Sequence, residues 1–230
     1  MEPAVLKQVI SQVAFAAATD DSRPALTGVL TSFEGNRVSM AATDGFRLSV
    51  RTAHIAGYVE KPFSLVIPAR ALSEVARILS DDLEAVYISM PAGRNQVIFD
   101  MDNALLVSQL IDGKFPDYAP IIPSRHNTRT VLNTAEFAKA CRTADIFARE
   151  SSNTARVAVE PGDGLSPAFA TVAANSKETG DNVAQVNANV EGMPIEIAFN
   201  VKFMSDVLSV MDTPQVALET TTPNDCLLST

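Results

Sequence analysis

An internal repeat is the feature that most constrains how this chain folds. The apolar residues of one helical pattern recur 132 positions later, where the chemical character of each position is kept: Leu72, Val75, Ala76 and Leu79 correspond to Met204, Val207, Leu208 and Met211. Spacings of three, four and seven residues are typical of one face of an amphipathic helix. A repeat of this length predicts two copies of one supersecondary unit.

The same shift relates other parts of the two halves and sets the predicted domain limits. It carries Phe15 to Phe147 and Val9 to Cys141. We predict a first domain over 1–118, a proline-containing linker over 119–130, and a second domain over 131–230. When the two copies are compared, the first domain lacks a counterpart of the strand that begins the second domain. The second domain lacks counterparts of the last strands of the first domain. We therefore expect a fragment of a longer protein.

Hydrophobic periodicity and turn residues predict a mixed arrangement of helices and antiparallel strands in the first copy. The predicted turns lie at 34–36, 93–95 and 102–103, and a loop runs through His54 and Gly57. The predicted elements are a helix over 4–18, strands over 26–33, 37–42, 46–51 and 63–67, a helix over 69–80, and strands over 85–90, 96–100 and 104–109. The fold class is therefore α+β.

An Asp-Gly pair stands between apolar residues at two places, in 42–48 and in 110–118. Such a pair predicts a tight turn, and a hairpin turn without further function is the simplest interpretation. The repeat counterpart of the first turn, 175–180, lacks its Gly-x-Arg-Leu pattern. Because the fold needs a turn in both copies, this difference favours a binding function, rather than a requirement of folding, for Gly45, Arg47 and Leu48.

Charge is distributed unevenly between the predicted helices and the remainder of the chain. The net charge is −9, whereas the four predicted helices together carry +2 and the remainder −11. A protein with this acidic net charge does not bind nucleic acid over its whole surface, but it could present neutral-to-basic helices to DNA. Ordinary solvated helix faces explain the same numbers equally well.

The sequence contains no motif typical of a catalytic, nucleotide-binding or metal site. Its two histidines, His54 and His126, have no nucleophile motif beside them, and it has no phosphate loop or dinucleotide glycine fingerprint. The two cysteines, Cys141 and Cys226, have no metal-ligand spacing. We predict a non-catalytic protein without a metal site or cofactor. The lack of a signal peptide or an apolar span predicts a cytoplasmic location.

Four segments, in this order, resemble the bacterial DNA polymerase III beta subunit family, the sliding clamps. They are 42–48 (Ala-Thr-Asp-Gly-Phe-Arg-Leu), 110–118 (Leu-Ile-Asp-Gly-Lys-Phe-Pro-Asp-Tyr), 173–176 (Ala-Ala-Asn-Ser) and 195–202 (Ile-Glu-Ile-Ala-Phe-Asn-Val-Lys). The resemblance covers essentially the whole chain. It implies the DNA clamp fold, with tandem domains that each pack two helices on antiparallel sheets. The two domains would be the middle and C-terminal domains of a three-domain subunit.

The resemblance also implies a function and partners. Two such subunits close head to tail as a homodimer into a ring around duplex DNA, with helices lining the hole, and tether the replicative polymerase as its processivity factor. The implied partners are duplex DNA, bound without sequence preference, the DNA polymerase III alpha subunit, the clamp loader and other proteins that carry a clamp-binding motif. This chain alone is expected to be unable to close the ring.

Site residues follow from the resemblance, residue by residue. The basic residues on or near the helices would face DNA: Lys7, Arg23, Arg70, Arg77, Lys139, Arg142, Arg149 and Lys202. A pocket for partner peptides with apolar anchors would be formed by Leu26, Thr43, Gly45, Arg47, Leu48, Pro116 and Ile121. Phe46 and Pro120 stand where many relatives carry polar or basic residues. Leu26 and Leu48 could equally serve core packing.

Two other classes of function remain open at the level of sequence. A non-catalytic interaction scaffold of the same fold would bind peptides without acting on DNA. An unrelated enzyme would need a pocket with converging titratable groups, and no motif in the sequence indicates one.

Overall fold

The computed structural model describes residues 1–222 apart from 81, 103, 164, 165, 177 and 179, and it describes the backbone of 225–229. Asn103 of the predicted 102–103 turn lies outside the described residues, as do Lys177 and Thr179 of the turn at 175–180. The chain forms two compact units, Met1–Asp117 and Tyr118–Thr230. Each unit has its own apolar core.

Both units combine helices with antiparallel strands, which confirms the α+β prediction. The α-helices of the described residues are α1 (Pro3–Ala14), α2 (Ala69–Ile78), α3 (Thr134–Ala148) and α4 (Val201–Ser209). The first unit contains β1 (Gly28–Thr43), β2 (Leu48–Pro68), β3 (Tyr87–Ser89), β4 (Gln96–Asp100) and β5 (Leu105–Gln109). The second contains β6 (Thr128–Asn133), β7 (Thr154–Glu160), β8 (Phe169–Ser176), β9 (Gly180–Gly192), β10 (Ile195–Asn200), β11 (Gln215–Thr222) and β12 (Asp225–Ser229).

The first unit places two packed helices beside two small sheets. Strands β1 and β2 form a long antiparallel hairpin, and β3, β4 and β5 form a meander in that order. Helices α1 and α2 pack against each other, and α1 also packs on β1 and β2. The buried faces of these elements meet in a core that includes Leu6, Met40, Leu72 and Phe99.

The predicted break of the hairpin into four shorter strands is wrong. The turn expected at 34–36 and the loop expected through His54 and Gly57 both lie within continuous strands, β1 and β2. The register shifts on both sides of Gly35, whose φ is +56°. A glycine with positive φ inside a strand marks a bulge, which changes the local twist without reversing the chain. The sequence could not distinguish that bulge from a turn.

Helix α1 is shorter than the predicted helix over 4–18, because its C-terminal turn tightens. Ala16 N donates to Val13 O and Ala17 N donates to Ala14 O, which are bonds across three residues. Ala18 N then donates to Leu26 O at 2.8 Å, so the chain leaves the helix to meet the segment that leads into β1.

The second unit builds one seven-stranded sheet, in the order β10-β7-β8-β9-β6-β11-β12, beside the packed pair α3 and α4. Asparagine side chains cap both helices at their N-termini. Asn133 Oδ1 accepts from Glu136 N at 3.0 Å, and Asn200 Oδ1 accepts from Lys202 N at 3.1 Å. Each cap satisfies a backbone donor that the helix leaves without an intrahelical partner.

The internal repeat is confirmed at the level of packing. Val9 and its counterpart Cys141 are both buried on the first helix of their unit, and Met40 and Val172 are both buried in strands. On the second helix, Leu72 and Met204 are both buried. The same positions therefore form the core in both units.

Candidate functional site

The turn between β1 and β2 is closed by its own side chains. Asp44 Oδ1 accepts from Phe46 N at 2.9 Å and from Arg47 N at 3.0 Å. Thr43 Oγ1 donates to Arg47 O at 2.6 Å and accepts from Gly45 N at 3.0 Å. Gly45 has a φ of +93°, which glycine adopts at little cost. The tight turn predicted from the Asp-Gly pair is confirmed, and its four hydrogen bonds fix its shape.

Arg47 ties this turn to the C-terminal end of α1. Its Nη2 donates to Phe15 O at 2.9 Å, and its guanidinium carbon lies 5.4 Å from the centre of the Phe15 ring. Its Nε contacts Asp44 Oδ2 at 3.0 Å, and 20% of the Arg47 side chain is exposed. Nearby, Ser49 Oγ donates to Gln12 O at 2.6 Å. These contacts give Arg47 a structural role in addition to the binding role predicted for it.

Arg23 lies at the same turn, although we predicted it among the residues that face DNA. A Cβ atom added to Gly45 would come within 2.6 Å of Arg23 Nη1, so the guanidinium lies directly over the Gly45 backbone. Arg23 Nη2 is 4.0 Å from Asp20 Oδ2. Hydrogen bonds from Ser22 to the Asp20 carboxylate lower the pKa of that carboxyl group. No sequence pattern indicated that Arg23 and Gly45 lie in contact.

Of the other residues of the predicted pocket, Leu48 directly follows the turn as the first residue of β2, and the rest lie elsewhere in the chain. Leu26 and Leu48 are half-buried, and Leu26 N donates to Arg23 O at 2.9 Å. Pro116 is exposed near the end of the first unit. Ile121 belongs to the second unit, where it is 68% exposed and lines a shallow cavity of about 290 Å³ with Pro123, Ser124, Arg125 and Thr221. The structure therefore brings together the turn residues of the predicted pocket and adds Arg23 to them.

The eight basic residues predicted to face DNA are all exposed. Six lie on the helices: Lys7 on α1, Arg70 and Arg77 on α2, Lys139 and Arg142 on α3, and Lys202 on α4. Arg149 is in the short 3-10 helix after α3, and Arg23 precedes another 3-10 helix. That these residues contact DNA stays a prediction.

Each helix of the first unit exposes one narrow stripe that carries a basic residue. On α1 the exposed stripe is Ala4, Lys7 and Ser11, and on α2 it includes Arg70, Ser73 and Arg77. Arg77 forms an ion pair with Glu74, with Nη2 2.6 Å from Oε2. By the observed helix limits, α1 and α2 each carry +1, and α3 and α4 carry no net charge. The net charge of the four helices is thus +2. The remainder of the chain carries −11, which gives the total of −9.

The described residues offer few groups suited to metal binding or nucleophilic catalysis. Within them, no group of three or more His, Cys, Asp or Glu side chains is placed to hold a metal ion. Cys141 is buried, and burial raises the pKa of its thiol to about 12. A thiol with so high a pKa is a poor nucleophile at neutral pH. None of the described helices is both long enough and apolar enough to cross a membrane.

The architecture defines a class: tandem α+β units, each with two packed helices beside antiparallel sheets. Family models of the DNA polymerase III beta subunit match both units, the central domain over residues 1–117 and the C-terminal domain over 119–230. The chain belongs to the DNA polymerase III beta subunit family.

Individual relatives agree with this assignment. The chain is 33% identical over 232 residues to the beta sliding clamp of Bacillus subtilis, covering 96% of the chain and 60% of that relative. For the beta sliding clamp of Staphylococcus aureus the identity is 34% over 216 residues, covering 94% of the chain and 55% of the relative. The chain thus spans a little over half the length of these curated relatives.

Solved structures show the same fold. The crystal structure of the DNA polymerase sliding clamp from Bacillus subtilis superposes with a TM-score of 0.92 at 32% identity, covering 100% of this chain and 60% of that one. The sliding clamp from Pseudomonas aeruginosa gives a TM-score of 0.90 at 26% identity, covering 100% and 62%. The DNA clamp fold predicted from the sequence is confirmed.

Proposed function

We propose that this chain supplies the middle and C-terminal domains of a ring-shaped processivity clamp. Two copies of the complete gene product encircle duplex DNA as a homodimer and tether the replicative polymerase to its template. The role is binding without catalysis, in the bacterial cytoplasm. The observation that carries the proposal is the charge pattern of a chain in this family: each of the four helices exposes at least one basic residue, and the excess of acidic charge lies outside the helices.

The weak charge of the helices suits a protein that must slide. Binding to phosphates is electrostatic and independent of sequence, and its strength grows with the number of phosphates that Lys and Arg neutralise. A net charge of only +2 on four helices gives weak contacts of this kind. A closed ring does not need strong ones, because topology prevents its dissociation. Sliding then stays rapid.

The turn between β1 and β2 is proposed as one wall of the pocket for partner peptides. Leu48 and Leu26 would contact the apolar anchors of the peptide, and Gly45 would let a peptide backbone approach closely. Arg47 would bind a carbonyl or carboxylate group of the peptide. A role of Pro116 and Ile121 in peptide binding stays a prediction from the sequence. The proposed partners are the DNA polymerase III alpha subunit, the clamp loader and other proteins with a clamp-binding motif.

A peptide-binding measurement on the complete gene product tests this site. The probe is the tightest binder among overlapping fluorescent peptides from the DNA polymerase III alpha subunit, followed by fluorescence anisotropy. Leu48→Ala should weaken binding about tenfold, since truncating an apolar anchor contact costs roughly 1–2 kcal/mol.

Leu105→Ala is the matched control, because Leu105 is an exposed leucine on β5, away from the turn. It should leave the affinity within about twofold of the unmodified protein, as substitutions outside a binding hot spot do. Equal affinities for the unmodified protein and the Leu48→Ala variant would remove this turn from the proposed pocket.

A further inference from the structure

The Asp44 carboxylate serves two purposes in the β1–β2 turn. Its Oδ1 accepts from two backbone amides, Phe46 N at 2.9 Å and Arg47 N at 3.0 Å. Its Oδ2 accepts from the Arg47 side chain, with Nε at 3.0 Å. One carboxylate therefore shapes the backbone of the turn and also orients the guanidinium.

A second element, the end of α1, also contacts this guanidinium. Phe15, at the C-terminal end of α1, provides its carbonyl oxygen at 2.9 Å from Arg47 Nη2 and its ring at 5.4 Å from the guanidinium carbon. An arginine side chain has several rotatable bonds, and a ligand that orders it must offset the entropy that is lost. Arg47 is already ordered before any ligand arrives.

In the second unit, the end of β8, just before the corresponding turn, also contacts the end of the first helix. There, Ser176 Oγ donates to Glu150 Oε2 at 2.6 Å, and Glu150 lies in the 3-10 helix that follows α3. The two units therefore contact their helix ends with different groups, a hydroxyl and a carboxylate in the second unit and Arg47 with a backbone carbonyl in the first.

We propose that Asp44 is a positioning residue for peptide binding: it holds Arg47 in the orientation that receives a carbonyl or carboxylate of the partner peptide. The inference rests on the peptide-binding function proposed above. Asp44 acts through Arg47 and does not itself contact the peptide. The ordered guanidinium reduces the conformational entropy lost on binding.

Asp44→Asn in the complete gene product separates the two purposes of the carboxylate. The Asn Oδ1 atom can still accept from Phe46 N and Arg47 N, so the turn keeps its shape, but the charge that orients the guanidinium is gone. Affinity for the alpha-subunit peptide should fall about five- to tenfold, and the melting temperature should change little. Affinity within twofold of the unmodified protein would overturn the proposal.

A double-mutant cycle distinguishes positioning from a general loosening of the turn. In an Arg47→Ala background, Asp44→Asn should cause no further loss of affinity, because the group that it orients is absent. If Asp44→Asn weakens binding equally with and without Arg47, Asp44 acts on the backbone of the turn. That outcome would contradict a positioning role.

Glu74→Gln is the matched control. Glu74 and Arg77 are likewise an acid and an arginine three residues apart, in contact at 2.6 Å, but on α2. This variant should bind the peptide as the unmodified protein does. A weakening equal to that of Asp44→Asn would show a general charge effect and would overturn the proposal.

The Leu48→Ala variant shows which claim fails. Loss of binding in Leu48→Ala together with unchanged binding in Asp44→Asn would overturn the positioning role alone. If the unmodified protein binds none of the alpha-subunit peptides, the proposed peptide-binding function and the positioning role both fail.

Discussion

Thr31 is a polar residue in an apolar core. It lies on β1, is 0% exposed, and its Oγ1 has no hydrogen-bond partner among the described residues. A buried hydroxyl without a partner costs about 1–3 kcal/mol. We expect Thr31→Val, which keeps the branched shape of the side chain, to increase the free energy of unfolding by about 1 kcal/mol. Urea denaturation followed by circular dichroism measures the change.

Thr220→Val is the control for this prediction. Thr220 is also buried, but its Oγ1 donates to Thr128 O at 3.3 Å. Removing a hydroxyl that has a partner should lower the free energy of unfolding by about 1 kcal/mol. If both valine variants shift stability in the same direction, hydrogen bonding does not account for the difference between the two sites.

Residue-scale contacts at the turn were only partly predictable from the sequence. The Asp-Gly pair predicted the turn, because Asp44 bonds with residues two and three positions away. The contacts of Arg47 with Phe15, and of Arg23 with Gly45, join residues far apart in sequence. No local sequence pattern encodes these contacts, because they depend on how the folded chain places the end of α1 beside the turn.

Among the elements, the repeat was the strongest source of correct prediction. Helices α2 and α4 lie where the shared apolar positions predicted them, because burial on one face imposes a helical spacing. The long hairpin was mispredicted because Gly35 is compatible with either a bulge or a turn. Only pairing with β2 decides between them, and that pairing is non-local.

Asn133 illustrates how a single residue fixes the start of an element. Its side chain accepts from Glu136 N at 3.0 Å and caps α3. Asn133→Ala should lower the free energy of unfolding by about 1 kcal/mol, the usual cost of losing such a cap. Asn189→Ala, at an exposed position of β9, should change it by less than about 0.5 kcal/mol. Equal losses in the two variants, measured by urea denaturation, would contradict a capping role for Asn133.

At the scale of the whole molecule, the uneven charge links the fold to the proposed function. The basic residues predicted to face DNA are exposed on or beside helices, whereas strands and loops carry the acidic excess. Such a molecule would attract duplex DNA to its helices and repel it elsewhere. Because the contacts are weak, a long residence time on DNA would have to come from ring closure.

Retention on DNA of defined topology tests ring closure most directly. The complete gene product is loaded by its clamp loader onto nicked circular duplex DNA and followed by gel filtration in salt high enough to screen weak phosphate contacts. We predict that the protein stays with the circle and is released when a restriction enzyme linearises it. Equally rapid loss from circular and linear DNA would contradict the encircling ring, even if alpha-subunit peptides still bound.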